Sequence, residues 1–245
     1  MVKQLSYLFA KKDVIAGFAD DKQFENHIAG LVRSGKIVKI RNGLYAQIDN
    51  MGVPLTNKFE IASRINDESF VSHHSALEFY GVANQVFNTM TVGSRKRFNG
   101  FTFDDVEYSQ IVVKDYTQVI YIVTADVRVT TLERAVVDCI DDIDLAGGID
   151  EVLNALEQIR VLDETKLTEI LKAYNKVILY QKVGFILEQY KDKFMLSDDF
   201  FADCKKHMTN QVKYFLNDEY NEIAYNADWQ LMAPKNLKSR INGGY

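Results

Sequence analysis

The spacing of apolar residues at the start of the chain predicts three short helices. Two of them are indicated by apolar groups at helical spacing, Leu5, Leu8 and Phe9 in the first and Val14, Ile15 and Phe18 in the second. The third begins after Asp20, a typical N-cap residue, with Gln23 as its capping-box partner. It extends to about Ser34, and Gly35 is the residue expected to end it.

The third predicted helix has one apolar face and one polar face. At about 100° per residue, the apolar face collects Phe24, Ile28, Leu31 and Val32. The opposite face carries Lys22, Asn26, Ala29 and Arg33, flanked by Gln23 and Gly30. Asn and Gln can bond adenine in the major groove, and Arg and Lys can bond guanine or phosphate. The pattern therefore predicts a DNA recognition helix.

Two short β-prone runs follow Gly35 and flank Asn42-Gly43, a dipeptide typical of a tight hairpin turn. Lys36, Lys39 and Arg41 make this hairpin basic, with Arg41 at its tip. A basic hairpin directly after an amphipathic helix is typical of a wing that contacts phosphates. The predicted DNA-binding residues are Lys22, Gln23, Asn26, Arg33, Lys36, Lys39, Arg41 and Asn42. The alternative is a module that packs against protein and leaves its basic hairpin in solvent.

The rest of the chain predicts an α+β fold. Five strand-like runs, rich in β-branched and aromatic residues, favour a mainly antiparallel sheet: Ser69–Ser72, Thr89–Gly93, Phe101–Phe103, Val106–Val113 and Val119–Val123. Helical patterns occur at Asn57–Ile65, His73–Phe79, Leu132–Cys139, Ile149–Ile159, Glu164–Asn175, Val177–Tyr190 and Asp198–Leu216. Residues 51–55 indicate a linker, and the polar tail 224–245 is expected to fray. We therefore expect a winged helix-turn-helix domain at 1–50 and a larger α+β domain at 56–245 with a helical C-terminal portion.

The charge distribution supports two parts with different roles. Residues 1–50 carry eight Lys or Arg and five Asp or Glu, a net charge of +3, which leaves −8 for the rest of a chain whose net charge is −5. A basic module attached to an acidic body is compatible with local DNA binding, whereas the acidic total argues against a protein that coats nucleic acid.

Other composition features limit the compartment and the redox chemistry. No apolar run reaches 18 residues and the N-terminus lacks a signal-peptide core, so we expect a cytoplasmic protein that does not contact a membrane. Cys139 and Cys204 are far apart in sequence, and we expect both to be reduced core thiols.

Candidate chemistry beyond the first 50 residues is sparse, and we expect no catalytic residue, no metal and no cofactor. An acidic cluster without a base is formed by Asp138, Asp141, Asp142, Asp144, Asp150 and Glu151. It could hold Mg²⁺, although this spacing more often marks a helix end and a solvated loop. Gly147-Gly148 lacks the context of a nucleotide-binding loop, and the adjacent His74 and Ser75 do not form a nucleophile–base pair. Arg95, Lys96 and Arg97 form a basic loop that would extend a DNA surface, dock an acidic partner or be only a charged turn.

Four segments, in this order, resemble the AbiEi family of antitoxins from abortive-infection, type IV, toxin–antitoxin systems. They are L-V-R-S-G-K-I-V-K-I-R-N-G-L-Y at Leu31–Tyr45, V-S-H-H-S-A-L-E-F-Y-G at Val71–Gly81, V-T-T-L-E-R-A-V-V-D at Val129–Asp138 and Q-K-V-G-F-I-L-E at Gln181–Glu188. The resemblance implies an N-terminal domain that binds the promoter of its own operon, as double-stranded and commonly inverted-repeat DNA, and represses it. It also implies a C-terminal domain that counteracts a nucleotidyltransferase-like toxin, without the need for a stable complex.

Two other functions remain open from the sequence. The first is a ligand-responsive winged-helix transcription factor unrelated to toxins, with a pocket enclosed by aromatic residues of the second part, Phe101, Phe103, Tyr108, Tyr116 and Tyr121. The second is an enzyme acting on nucleic acid, with the acidic cluster holding Mg²⁺.

Overall fold

The structure is a computed structural model that describes residues 7–209, 211–215, 223–235 and 237. Helices and strands occur along the whole described chain, with three separate sheets, so the predicted α+β class is confirmed. The chain forms two compact units. The first comprises Met1–Val71, Asn88–Val113 and Tyr121–Val129, and the second comprises Ser72–Phe87, Lys114–Ile120 and Thr130–Tyr245. The predicted linker at 51–55 lies inside the first unit.

The first unit begins with a small α+β arrangement that we call the N-terminal module, residues 7–47. Its elements are β1 (Leu8–Ala10), α1 (Lys11–Val14), a 3-10 turn (Ile15–Gly17), α2 (Asp21–Arg33), β2 (Ile37–Arg41) and β3 (Leu44–Gln47). The strands form an antiparallel sheet in the order β1-β3-β2. The module buries a core of Phe9, Phe24, Ile28, Ile37 and Tyr45.

The predicted first helix at Leu5, Leu8 and Phe9 is wrong for the described residues, because Leu8–Ala10 is a strand; Leu5 lies outside them. Leu8 pairs with Ala46, and Phe9 pairs with Tyr45 and stacks on its ring. Three residues are too few for periodicity to separate a helix from a strand, so the pairing with β3 decides the structure.

The remaining elements of the first unit are a helix, a 3-10 turn and the six strands of a second sheet. They are α3 (Lys58–Arg64), β4 (Phe70–Val71), β5 (Thr89–Ser94), β6 (Phe101–Phe103), β7 (Val106–Val112), β8 (Val119–Ile122), a 3-10 turn (Val123–Ala125) and β9 (Val127–Thr130), of which β8 and β9 extend into the second unit. Asn57 accepts hydrogen bonds from the backbone N–H groups of Phe59 and Glu60, which fixes the start of α3.

The sheet has the order β6-β7-β5-β4-β9-β8 and is mixed, which corrects the prediction of a mainly antiparallel sheet. β5 runs parallel to β7 over six residue pairs, and Val71 of β4 is parallel to Val129 of β9. The chain leaves β5, passes to the sheet edge as β6 and returns through a hairpin as β7. Because β6 intervenes, β7 runs in the same direction as β5 when it pairs with it. The composition of the strands alone does not encode this path.

The second unit is largely helical. Its helices are α4 (His73–Phe79), α5 (Leu132–Asp141), α6 (Ile149–Gln158), α7 (Glu164–Tyr174), α8 (Val177–Glu188), α9 (Lys191–Phe194) and α10 (Asp198–Lys206). Apart from α9, which the sequence does not predict, these helices start where the sequence predicts. α8 is shorter than predicted and the last predicted helix ends at Lys206, while Leu216 lies outside the described residues. α5 is buried over most of its length and packs on α4, α7 and α8.

A third small sheet follows the helices, in the region that the sequence predicts to fray. Its strands are β10 (Lys213–Tyr214), β11 (Ile223–Asn226) and β12 (Leu231–Pro234), in the order β10-β12-β11. Trp229, in the turn before β12, is fully buried. The described residues 223–235 are therefore ordered and correct the prediction of fraying for that segment, while 238–245 lie outside the described residues.

None of the helices in the described part of the chain has the length and apolar character needed to cross a membrane.

Candidate nucleic-acid interface

The start of α2 is fixed by two reciprocal hydrogen bonds that involve Gln23. Asp20 Oδ1 accepts from the Gln23 backbone N at 2.7 Å, as expected of an N-cap. Gln23 Oε1 accepts from the Ala19 backbone N at 2.7 Å, so the return bond reaches one residue earlier than a standard capping box. Only the Nε2 group of Gln23 is then left for an external acceptor.

The two faces of α2 separate as the periodicity predicts. Phe24 and Ile28 are buried in the module core, and Lys22, Asn26 and Arg33 are exposed. Val32, predicted on the core face, is 40% exposed at the edge of that face. Arg33 Nε donates to the Ala29 carbonyl at 3.2 Å, which holds the first part of its side chain along the helix.

Lys11 offsets the acidic residues of α2, a role that the sequence reasoning missed. Its Nζ lies 3.1 Å from Asp21 Oδ2 and 3.0 Å from Glu25 Oε1. Hydrogen bonds to Glu25 and Asp21 raise the pKa of Lys11. The two carboxylates on the helix are thus paired within the module, which reduces their repulsion toward an approaching anion.

The predicted hairpin is present. β2 and β3 pair antiparallel around Asn42 and Gly43, and Gly43 has a φ of +79° that favours glycine in this turn. The side chains of Lys36, Lys39 and Asn42 are exposed. Lys39 therefore presents a free-standing cation on the solvent side of β2.

The sequence predicts Arg41 at the hairpin tip, where it would contact phosphates. In the structure Arg41 packs against aromatic rings instead. Its guanidinium carbon lies 4.9 Å from the ring centre of Phe101 and 5.5 Å from that of Phe98. Burial lowers the pKa of Arg41, and its Nη1 is buried with no hydrogen-bond partner among the described residues. Arg41 thereby attaches the end of β2 to residues some 60 positions later in sequence, within the first unit.

The basic loop, Arg95–Arg97, precedes Phe98 directly, and side chains around it bond its backbone. The Lys96 carbonyl accepts from Asn66 Nδ2 at 3.2 Å, Ser94 Oγ at 2.9 Å and Gln110 Nε2 at 3.0 Å. Gln110 also accepts from the Phe98 backbone N at 2.8 Å through its Oε1. Lys96 and Arg97 side chains are exposed, while Arg95 Nε lies 3.8 Å from Glu68 Oε2.

The structure therefore brings the two predicted basic segments together. Arg41, at the end of β2, contacts Phe98, the residue that follows the basic loop. The other predicted residues stay on α2 and on the solvent side of the hairpin. Sequence reasoning proposed the two segments independently and had no signal for their contact.

A polar pocket of about 230 Å³ lies elsewhere in the first unit. It is lined by Ala10, Lys12, Asp13, Ser63, Arg64, Asn66, Asp67, Tyr121, Asp126 and Arg128. Arg64 Nη2 donates to Asp126 at 2.5 Å, and Lys12 pairs with Asp67. Of the five aromatic residues predicted to enclose a ligand pocket, Tyr121 lines this one, whereas Tyr108 is buried and stacks on Phe101.

The segment Val129–Asp138, which belongs to the second unit from Thr130 onward, uses its polar side chains for packing. The Arg134 side chain is 1% exposed, donates to the carbonyls of Thr117 and Asp115, and lies with its Nε 3.6 Å from Asp138. Tyr174 donates to Asp138, and burial raises the pKa of this tyrosine strongly.

The acidic cluster does not converge on one point. Asp138 and Glu151 are buried with different partners, Asp141 pairs with Lys176, and Asp142 and Asp144 are exposed. Within the part of the chain that the structure describes, no group of three or more His, Cys, Asp or Glu is placed to hold a metal ion.

His74 and Glu151 form a buried pair in the second unit. His74 Nε2 lies 3.0 Å from Glu151 Oε1, which also accepts from the backbone N–H groups of Asn84 at 2.8 Å and Gln85 at 3.1 Å. The His74 ring stacks on Phe87 with 4.0 Å between centres. The carboxylate thus holds the chain after α4 in place, and His73-His74 begins that helix as predicted.

The segment Gln181–Glu188 packs against Trp229 and bonds to it. Gln181 Nε2 donates to the Trp229 carbonyl at 3.0 Å, and Glu188 accepts from Trp229 Nε1 at 2.8 Å. Gly184, one turn from Gln181, leaves the space that the indole ring fills. These three residues lie on one face of α8 and bind the turn before β12 to the helices.

The chain is similar in fold to a solved structure, and no model of a known protein family and no curated protein matches it. The solved structure is the crystal structure of the RV2827C protein from Mycobacterium tuberculosis. The two chains align with a TM-score of 0.63 and 14% sequence identity, over 92% of this chain and 86% of the other. The alignment extends over nearly the whole chain, so both units of the present protein belong to the shared fold.

Proposed function

We propose that the chain is a winged-helix repressor of its own operon and an antitoxin that counteracts a nucleotidyltransferase-like toxin. The observation that carries the DNA-binding half is the composition of α2, whose exposed face presents Lys22, Asn26 and Arg33 while Lys11 pairs with its two acidic residues. The order strand, helix, turn, helix and hairpin supports a winged-helix interpretation of the N-terminal module.

The exposed side chains differ in the kind of DNA contact that they can make. Asn26 and Arg33 have the chemistry to bond base edges. Lys22 and Gln23 lie about one turn before Asn26, at the start of the same helix. Lys36 and Lys39 on the hairpin would contact phosphates and contribute affinity without sequence preference. Asn42 in the turn is exposed and suits a sugar or phosphate contact.

The antitoxin half rests on the four segments that resemble the AbiEi family. The polar residues of two of these segments hold the second unit together, as Arg134 and Gln181 illustrate.

A ligand-responsive transcription factor is the other candidate function, and the polar pocket would be its ligand site. Its acids are paired with Lys12 and Arg64 in the structure, and Arg128 donates to the carbonyls of Ser63 and Asn66. A ligand would have to replace these pairs, so we favour the repressor–antitoxin.

DNA binding is tested by titrating the full chain against a duplex from its own upstream region and against a scrambled duplex. Asn26→Ala with Arg33→Ala should lower affinity for the upstream duplex by at least about 5- to 150-fold, because each good base contact that is lost is worth about 1–3 kcal/mol. Gln158→Ala with Arg160→Ala removes matched exposed groups from the second unit and should leave affinity unchanged. Equal binding of both duplexes by the wild type would contradict the proposal.

The antitoxin half is tested by co-expression with the product of an adjacent nucleotidyltransferase-like gene. Growth should be arrested by the toxin alone and restored by the chain, including the Asn26→Ala/Arg33→Ala variant when expressed from an unrelated promoter. Failure of the wild type to restore growth would contradict this half while leaving DNA binding intact.

A further inference from the structure

We propose that the basic loop, Arg95–Arg97, is a second phosphate-contact site that continues the hairpin, and that Lys96 and Arg97 take the place that Arg41 would have as the tip cation. This inference rests on the proposed DNA binding. It assigns a specific DNA contact to a segment outside the N-terminal module.

The first observation is that Arg41 is already engaged. Its guanidinium is stacked against Phe98 and Phe101 and is half-buried. Its Nη1 is buried, so turning the whole guanidinium toward a phosphate would mean leaving both rings, which costs the stacking energy. A winged module with this geometry lacks a free cation at the end of β2.

The second observation is that the contact between Arg41 and Phe98 also brings other cations to the end of β2. Phe98, which packs under Arg41, directly follows Arg97 in sequence, so the basic loop begins where the end of β2 is anchored. Lys96 and Arg97 are exposed, and no carboxylate of the described residues lies within ion-pairing distance of either. Two exposed cations that directly precede the residue under Arg41 add positive charge beside the end of β2, and positive charge of this kind suits a phosphate backbone.

The third observation is that the loop is preorganised. The Lys96 carbonyl accepts three side-chain hydrogen bonds, and Gln110 holds the loop on both sides by donating to Ser94 and Lys96 and accepting from Phe98. A loop that is ordered before binding loses little conformational entropy when its side chains meet an anion. The partner that fits is duplex DNA, read here through its backbone and not through its bases.

The experiment is a salt titration of the full chain on the upstream duplex and on the scrambled duplex, comparing wild type with Lys96→Ala/Arg97→Ala. Each lost phosphate contact should reduce the slope of log affinity against log salt by about 0.9, so the double variant should lose up to about 1.8. Affinity for both duplexes should fall by the same factor, because backbone contacts carry no sequence preference. Arg160→Ala/Lys172→Ala changes the charge equally on the second unit and should leave the slope at the wild-type value.

The outcomes separate this inference from the function on which it rests. A wild type that prefers the upstream duplex, with an unchanged slope in the loop variant, overturns the loop contact alone. A loop variant that loses the preference between the duplexes also overturns it, because the residues would then read sequence. A wild type that binds neither duplex overturns both proposals. Unchanged thermal unfolding of both double variants confirms that the slopes compare folded proteins.

Discussion

Gly184 of α8 and Trp229 are packed so closely that a Cβ atom at position 184 would lie within 3.0 Å of three carbons of the indole ring. Trp229 is fully buried, and its Nε1 donates to Glu188 on the same helix. A glycine inside a helix ordinarily weakens it by about 0.5–1 kcal/mol relative to alanine, and the space that the indole ring fills accounts for a glycine at this position.

Gly184→Ala should therefore destabilise the chain by about 1–3 kcal/mol, the usual cost of overpacking a filled site. Gly30→Ala is the matched control, because no neighbouring atom lies within 4 Å of a Cβ at Gly30 and the change should stabilise α2 by about 0.5–1 kcal/mol. Denaturant unfolding followed by the fluorescence of the single tryptophan gives the first value, and circular dichroism gives both. A gain in stability at position 184 would contradict the contact.

Arg134→Met should reduce stability strongly. Removing one partner of a buried charged network costs about 3–5 kcal/mol, because Asp138 loses its ion-pair partner and two backbone carbonyls lose their donor. Lys166→Met serves as the control. Lys166 pairs with Glu133 at 3.8 Å but is 39% exposed, so its loss should cost less than about 1 kcal/mol. Similar unfolding midpoints for the two variants would show that Arg134 is not held as described.

Arg41→Ala and Lys39→Ala should separate anchoring from DNA contact. The first removes the stacking on Phe98 and Phe101 and should lower stability by about 0.5–2 kcal/mol. The second removes an exposed cation and should leave stability within about 0.5 kcal/mol while lowering the salt slope of DNA binding by about 0.9. Thermal unfolding and the salt titration provide the two readouts, and the reverse pattern would assign the roles the other way round.

Asp126 should make the first unit sensitive to acid. Burial raises the pKa of this carboxyl, but hydrogen bonds from Tyr121 and Arg64 outweigh that effect and hold the pKa below its ordinary value of 3.8. The stabilisation is complete above the unfolded pKa and is lost as pH falls through the folded pKa. Asp126→Asn, a change tolerated at its φ of +51°, should lose less stability than wild type below about pH 4. Parallel stability curves from pH 7 to pH 2 would rule this out.

The two thiols should be unreactive in the native protein. Burial raises the pKa of Cys204 to about 12 and that of Cys139 well above 9.0, so the reactive thiolate is scarce near neutral pH. A colorimetric thiol reagent should label neither cysteine in buffer and both in denaturant. Rapid labelling of a thiol in the native protein would contradict this prediction, because it would show that the thiol is accessible to solvent.

Local patterns in the sequence predict much of this fold. The N-cap at Asp20, the hairpin turn at Asn42-Gly43 and the helices from Leu132 onward depend on residues close in sequence, and the structure places them as expected. The strand at Leu8–Ala10 was missed because its partner Tyr45 lies in another element.

Features that depend on distant partners could not be predicted in this way. The parallel register of β5 and β7 follows from the path of the chain through β6, and the position of Arg41 follows from Phe98 and Phe101. In the candidate interface, the exposed residues of α2 were identified from periodicity, whereas the pairing of Lys11 with Glu25 was not. Pairing between distant residues leaves no periodic signal in a single sequence.

The two units interleave along the chain, which passes between them after Val71, Phe87, Val113, Ile120 and Val129. Any single break before Val129 divides the first unit, and any single break after Ser72 divides the second. No single recombination point therefore separates the two units with both of them intact. Exchange of one whole unit for that of a relative would require several crossovers, so the two units are inherited as one gene segment.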